Sequence, residues 1–162
     1  MKKMITLATI AMLVLVAGNA LAEIGWAGNV WPNNGANLTP GNPVDVYAQV
    51  WKAGVTDMPG QGPDIMLDMV ITNDIGGSDS AIFAYHGDVG SNDEYTAQIP
   101  AAMLVGASWV EIDITALDLS DGTGFYPLND QAGNPGPQRY NVVNVLPNNV
   151  DVTFSVCMSG TE

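Results

Sequence analysis

The sequence contains very little cysteine, histidine or positive charge. Its 162 residues include one cysteine, Cys157, one histidine, His86, and four Lys or Arg residues against 17 Asp or Glu residues. A lone cysteine cannot form an internal disulfide, so Cys157 is either a free thiol or half of a bond to a partner absent from this sequence. One histidine and one cysteine far apart also argue against a clustered zinc site. We therefore expect a fold that rests on its hydrophobic core.

Two of the four basic residues lie in a predicted signal peptide. Lys2 and Lys3 precede the apolar run 4–17, and Ala20-Leu21-Ala22 has the small residues that signal peptidase requires at its cleavage site. The apolar run is shorter than the ~20 residues of a membrane-spanning helix, and no later segment is a candidate. We predict that residues 1–22 are cleaved and that the protein is secreted, either extracellular or periplasmic.

The predicted mature chain is strongly acidic, because only Lys52 and Arg139 remain against the 17 carboxylates. Phosphate backbones and anionic lipid headgroups repel such a polyanion, which argues against nucleic acid and membrane surfaces as partners. The acidic residues are spread along the chain, and the hydrophobic fraction of 47% is too high for a disordered segment. A folded, exported domain is expected.

Strict alternation of apolar and polar residues predicts β-strands. In the clearest case, Val44, Val46, Ala48 and Val50 share one face of the strand and Trp51 lies on the other. Period-two alternation is typical of strands with one buried and one wet face. The long segments of this kind are 44–51, 64–72, 108–115 and 150–158, and the shorter ones are 82–86, 94–99 and 139–145.

Clusters of Gly, Pro, Asn and Asp separate the predicted strands. Such clusters break any helix longer than a turn or two, and only residues 100–107 could form a short helical turn. About seven short strands without helical crossovers predict an all-β protein, an antiparallel two-sheet β-sandwich. A small closed barrel is the weaker alternative.

Two motifs carry a family resemblance. Residues 46–62 read VYAQVWKAGVTDMPGQG, and residues 87–95 read GDVGSNDEY. Together with the stretch 124–134, they resemble an immunoglobulin-like β-sandwich module of large secreted bacterial proteins, which stands beside extracellular nuclease, lamin-tail or starch-active domains. The resemblance implies an immunoglobulin-like β-sandwich over 23–147.

The C-terminal stretch 148–162 allows two interpretations. Its strand VDVTFSVCM is similar to the opening strand of a starch-binding-like domain, which implies the start of a truncated second β domain. The alternative is the closing strand of the sandwich itself.

The stretch from His86 to Tyr95 groups hard oxygen donors on a glycine-containing turn. A calcium ion takes about 6 to 8 such oxygen ligands. The same residue types also form ordinary hairpin turns, so calcium and a plain turn both remain open. His86 itself is expected to be solvent-facing or at a strand edge, without a catalytic role. The candidate metal ligands are Asp88, Asn92, Asp93 and Glu94.

Aromatic residues suggest a surface that stacks on sugars. Trp51 and Trp109 fall on the polar faces of their predicted strands, where a bare indole ring usually marks a contact surface. A register error of one residue would instead place both rings in the core. From the set Trp26, Trp31, Trp51, Trp109 and Tyr126, we predict Trp51, Trp109 and Tyr126 as carbohydrate-binding residues.

These features predict a secreted, non-catalytic β-sandwich module. It is either a spacer or an adhesion unit, and carbohydrate binding belongs to the adhesion version. Its expected partners are a polysaccharide or cell-surface component and other domains of a longer chain. The alternative is a calcium-stabilised structural domain of a larger extracellular enzyme. A small glycoside hydrolase is less favoured, since 17 acidic residues produce carboxylate pairs by chance and a small sandwich without long loops offers little concavity for a buried acid.

Overall fold

The computed structural model describes residues 23–125 and 128–143, which form two packed β-sheets. One short helix, α1 (Ala101–Leu104), follows the seventh strand. In this part of the chain, no helix has the length and apolar character needed to cross a membrane. The strands are β1 (Ile24–Trp31), β2 (Asn37–Leu38), β3 (Val44–Lys52), β4 (Ile65–Asn73), β5 (Ser78–Ile82), β6 (Ala84–Val89), β7 (Asn92–Ile99), β8 (Trp109–Asp118), β9 (Thr123–Phe125) and β10 (Gln138–Val142).

The strand order confirms the predicted sandwich. A four-stranded sheet runs β1-β3-β7-β6, and a six-stranded sheet runs β2-β10-β8-β4-β5, with β9 paired to the end of β8. Neighbouring strands are antiparallel except for the short β2–β10 pair. Two separate sheets exclude the closed barrel.

The hydrophobic core lies between the two sheets, as the alternation predicted. Leu67, Met69 and Ile71 of β4 are completely buried at its centre. Inward and outward residues alternate along β3 and β8, and Trp51 and Trp109 are only partly buried on the outward side. The registers inferred from the sequence are therefore right for both indole rings.

Several local predictions were wrong or incomplete. The segment 82–86 is not one strand, because β5 ends at Ile82 in one sheet and β6 begins at Ala84 in the other. Phe83 lies buried at this crossing, and its N–H donates to the carbonyl of Leu67 at 2.9 Å. Strand β1 was not predicted, since two glycines interrupt its alternation. The predicted signal peptide and the predicted strand 150–158 lie outside the described residues.

A buried ion pair joins the ends of two strands from opposite sheets. Nζ of Lys52, at the end of β3, lies 2.8 Å from Oδ2 of Asp118, at the end of β8, and the side chains are 5% and 0% exposed. Burial alone would raise the pKa of Asp118, but hydrogen bonds from Lys52 and Ser120 outweigh it and lower that pKa. The ion pair fixes β3, the strand on which the candidate site is built, against the opposite sheet.

Candidate functional site

A groove of about 380 Å³ lies on the outer face of the four-stranded sheet and is lined by Trp31, Tyr47, His86, Glu94 and Gln131. Three of these residues form a continuous row of rings, which we call the aromatic row. The ring centroids of Trp31 and Tyr47 are 5.9 Å apart, and those of Tyr47 and His86 are 5.1 Å apart. Trp31 is 45% exposed, so a large apolar ring faces solvent at this groove.

Strand register and a β-bulge build the aromatic row. Trp31 in β1 is the direct partner of Tyr47 in β3, so their side chains share one face of the sheet. In β6, the pairing with β7 shifts between Tyr85 and Gly87, and His86 lies at this irregularity. Such bulges re-aim side chains. Tyr85 accordingly packs on the core, while His86 turns outward and meets Tyr47 edge to face.

A second row, of polar side chains, lies beside the aromatic row, two residues further along β3. Gln49 stands at its centre and is only 7% exposed. Its Nε2 donates to Oε2 of Glu94 at 2.9 Å, and its Oε1 accepts from Nδ2 of Asn29 at 3.0 Å and of Asn92 at 3.2 Å. We call these four residues the polar row. In the described part of the chain, no hydrogen bond engages the second oxygen of Glu94, Oε1.

A buried carboxylate fixes the loops beside the groove. Asp130 is 3% exposed and accepts hydrogen bonds of 2.8–2.9 Å from the backbone N–H groups of Asn34, Ala132 and Asn134 and from the side chain of Asn134. Burial alone would raise the pKa of Asp130, but these bonds outweigh it and lower that pKa. The segment after β1 and the segment that carries Gln131 are thereby joined.

The three predicted carbohydrate-binding aromatics do not form one site. Trp51 shares the outer face with the groove, but its ring lies against β1, where a methyl group on Gly25 would be 2.5 Å from its Cζ3 atom. Trp109 lies on the outer face of the other sheet, and the guanidinium carbon of Arg139 lies 4.1 Å from its ring centroid. Tyr126 lies outside the described residues. Carbohydrate binding by these three residues stays a prediction.

The structure separates the four predicted calcium ligands. Asn92 and Glu94 belong to the polar row on the outer face, whereas Asp93 points inward and is completely buried. Asp88 is the exposed strand partner of Asp93 across the β6–β7 hairpin. Within residues 23–125 and 128–143, no three or more His, Cys, Asp or Glu side chains are grouped so that they could hold a metal ion. The four donors do not converge on one point, and calcium binding stays a prediction.

Asp88 and Asp93 hold the loop that follows β3. Oδ2 of Asp88 accepts from the N–H of Gly60 at 3.0 Å, and Oδ2 of Asp93 accepts from the N–H of Gly62 at 2.7 Å. Burial raises the pKa of Asp93. The two motifs that carry the family resemblance are therefore hydrogen-bonded to each other. These acidic residues have a structural role in the fold.

Four of the residues that line the groove were not predicted as site residues: Trp31, Tyr47, His86 and Gln131. Trp31 was in the aromatic set but was not selected from it. Tyr47 could have been found, because it shares the outward face of its strand with Trp51. The place of His86 depends on a bulge, and that of Gln131 depends on a loop distant in sequence, so local patterns did not reveal them. His86 is solvent-exposed, as expected, but it contributes a ring to the aromatic row.

Comparison with known proteins gives two partial similarities. No protein-family model matches the chain. The chain is similar to an amylopullulanase of Thermoanaerobacter thermohydrosulfuricus, with 48% identity over 46 residues that make up 28% of this chain and 3% of that protein. It is also similar to an amylopullulanase of Thermoanaerobacterium saccharolyticum, with 32% identity over 100 residues, which cover 47% of this chain and 8% of that protein. The chain thus spans only a small part of the length of these curated relatives.

Proposed function

We propose that this chain is a non-catalytic β-sandwich module of a larger secreted, starch-active protein, and that it binds α-glucan at the aromatic row. One observation carries the proposal: three solvent-accessible rings stand beside a fixed row of amide and carboxylate groups on one sheet face. Binding sites for small ligands combine apolar and aromatic walls with a few well-placed polar groups. Sugar rings offer both an apolar face and hydroxyl groups, so they match this combination.

The partial similarity to two amylopullulanases supports the class of ligand. Their name refers to amylose-type glucans and to pullulan, and the matched stretches are short parts of long proteins. A small segment of a large enzyme is more consistent with an accessory module than with its catalytic domain. The predicted signal peptide supports secretion.

The composition of the groove supports binding without hydrolysis. Glycoside hydrolases ordinarily use a pair of carboxylates on either side of the scissile bond. Among the described residues that line the groove, Glu94 is the only carboxylate. A second acid for that pair is therefore not among these lining residues, and the proposed role is adhesion of the module to its polysaccharide.

Affinity electrophoresis tests this function. The purified chain is run in native gels with and without soluble amylopectin or pullulan, and binding slows its migration. We expect retardation of the wild-type chain and a large loss of retardation in Trp31→Ala. Trp109→Ala is the matched control, because this indole lies on the opposite sheet under Arg139. Trp51→Ala tests a further ring on the groove face.

Two outcomes would contradict the proposal. One is the absence of retardation of the wild-type chain by any glucan. The other is an equal loss of retardation in Trp31→Ala and Trp109→Ala, which would show that binding does not depend on the groove.

A spacer role without ligand is the second candidate. A groove of about 450 Å³ on the outer face of the six-stranded sheet includes Met66, Leu117 and Ile82, and Ile82 is 70% exposed. Exposed apolar patches often mark contacts with other domains. The spacer role is supported if the chain binds no glucan and Ile82→Ser increases its solubility. Unchanged solubility would leave this groove without a role in contacts.

A further inference from the structure

We infer that the groove takes a short, uncharged glucan segment that lies across the strands, with sugar faces on the aromatic row and hydroxyl groups donating to Oε1 of Glu94. This inference rests on the proposed function. It adds the direction of the bound chain, its approximate length, its charge and the residue that accepts its hydroxyl groups.

The direction follows from the two rows. The aromatic row crosses the sheet from β1 through β3 to β6, because Trp31 pairs with Tyr47 and the ring of His86 leans toward Tyr47 from the far side of β7. Gln49 of the polar row lies opposite Glu94 in β7, so this row also crosses the strands. Two residues along a strand separate the rows by about 6.6 Å. A chain that contacts both rows along their whole length must therefore run across the strands.

The length follows from the spacing of the rings. Adjacent centroids are only 5.9 and 5.1 Å apart, and adjacent rings meet at interplanar angles of 54° and 74°. The rings touch one another and form one twisted wall instead of three separate platforms. A wall of this extent contacts a short oligosaccharide. Sugar units beyond it gain no further contact with the aromatic row.

The arrangement of Glu94 makes it the hydroxyl acceptor. Gln49 holds Oε2, and the two asparagines of the polar row fix Gln49 in turn. Oε1 makes no hydrogen bond within the described residues, and Glu94 lines the groove. Beside Glu94, its strand partner Gly87 leaves the floor open, because a methyl group at Gly87 would contact nothing within 4 Å. A hydroxyl group can therefore reach this preoriented carboxylate.

The charge of the face excludes acidic glycans. After residue 22, the sequence has only two Lys or Arg residues. Lys52 is buried with Asp118, and Arg139 is paired with Glu111 on the opposite sheet at 2.9 Å. The groove therefore offers Glu94 and no Lys or Arg side chain to its ligand. Among the Asp, Glu, Lys and Arg side chains, a carboxylate on the ligand would meet only the like charge of Glu94.

Isothermal titration calorimetry with defined oligosaccharides tests this inference. The probes are glucose, maltose, maltotriose and maltohexaose, followed by amylose and carboxymethyl-amylose. We expect the affinity to rise up to maltotriose and to level off at maltohexaose, and carboxymethylation to abolish binding. Glu94→Gln should weaken maltotriose binding by about tenfold, because hydrogen bonds to charged acceptors are the stronger ones.

Asp45→Asn is the matched control for Glu94→Gln. Asp45 is also a carboxylate of the same sheet face that accepts from an amide, Nε2 of Gln98 at 2.8 Å, but it lies on the other side of Tyr47 and does not line the groove. The affinity of the Asp45→Asn variant for maltotriose should equal that of the wild type. His86→Ala leaves the polar row intact, and it should remove the gain in affinity from maltose to maltotriose. Urea unfolding shows whether each variant is folded.

The outcomes separate this inference from the proposed function. If no probe binds, both fail. If maltotriose binds and Glu94→Gln and Asp45→Asn have equal affinity, the assignment of Glu94 is wrong while α-glucan binding stands. An affinity that still increases steeply beyond maltotriose, or tight binding of carboxymethyl-amylose, would refute the short, uncharged ligand.

Discussion

Replacing Lys52 with methionine should destabilise the sandwich by about 3–5 kcal/mol, because it leaves Asp118 as a buried charge without its partner. The pair lies at 2.8 Å with the two side chains 5% and 0% exposed, so water cannot replace the ammonium group. For a domain of this size, the loss corresponds to a decrease in melting temperature of about 10–20 °C. Urea unfolding at neutral pH, followed by tryptophan fluorescence, measures the change.

The destabilisation should become smaller in acid. Folding lowers the pKa of Asp118, whose ordinary value is 3.8, so its stabilising contribution is complete above that value and is lost as the pH falls through the folded pKa. In Lys52→Met, protonation of Asp118 instead relieves the buried charge. The urea midpoints of wild type and variant should therefore approach each other on acidification.

Arg139→Met is the control for removal of a positive charge. Its ion pair with Glu111 is exposed, with side-chain exposures of 53% and 28%. We therefore expect the free energy of unfolding to decrease by about 1 kcal/mol or less. Equal destabilisation by Lys52→Met and Arg139→Met would refute the reasoning. A gap between wild type and Lys52→Met that widens in acid would also refute it.

Three further predictions follow from other buried or hydrogen-bonded carboxylates. Asp130→Ala should lower the free energy of unfolding, measured in urea, by about 2–3 kcal/mol and should weaken glucan binding, because it frees the loops beside the groove. An unchanged affinity for glucan would show that these loops do not shape the site. Burial raises the pKa of Asp93, so ionisation of Asp93 opposes folding as the pH rises through the folded pKa. Asp93→Asn should therefore increase the urea midpoint more at neutral than at acidic pH. An equal increase at the two pH values would contradict this prediction. Calcium binding at Asp88, Asn92, Asp93 and Glu94 would stabilise the domain by about 2.7 kcal/mol at a hundredfold excess over Kd, and a melting temperature that neither calcium nor a chelator changes would reject that hypothesis.

Much of the fold was predictable because burial imposes period-two alternation on strands. Strands β3, β4 and β8 were found within a few residues of their ends, and the outward positions of Trp51 and Trp109 were right. The passage from β5 to β6 was not predictable in this way. The chain changes sheets at a single buried residue, Phe83, and no turn signal marks that crossing.

The candidate site was less predictable because it depends on contacts between distant segments. Trp31 and Tyr47 become neighbours only through the β1–β3 register, and β1 has no clear alternation. The ring of His86 reaches Tyr47 only because of the β-bulge between Tyr85 and Gly87. The β6–β7 hairpin shows a different limitation of sequence analysis, because residue types alone do not tell which face of the sheet each side chain occupies. Its residue types suggested a metal site, but the pleat sends Asp93 inward and Glu94 outward, because neighbouring residues of a strand point to opposite faces.

Titration of the four tryptophan indole N–H signals with maltotriose, in proton–nitrogen correlation spectra, tests the central claim most directly. Substitution of each tryptophan by phenylalanine assigns the signals. Binding at the aromatic row predicts a saturable shift of the Trp31 signal and an unchanged Trp109 signal on the opposite sheet. A Trp31 signal that does not move at the highest maltotriose concentration, or a saturable shift of Trp109 alone, would contradict the account.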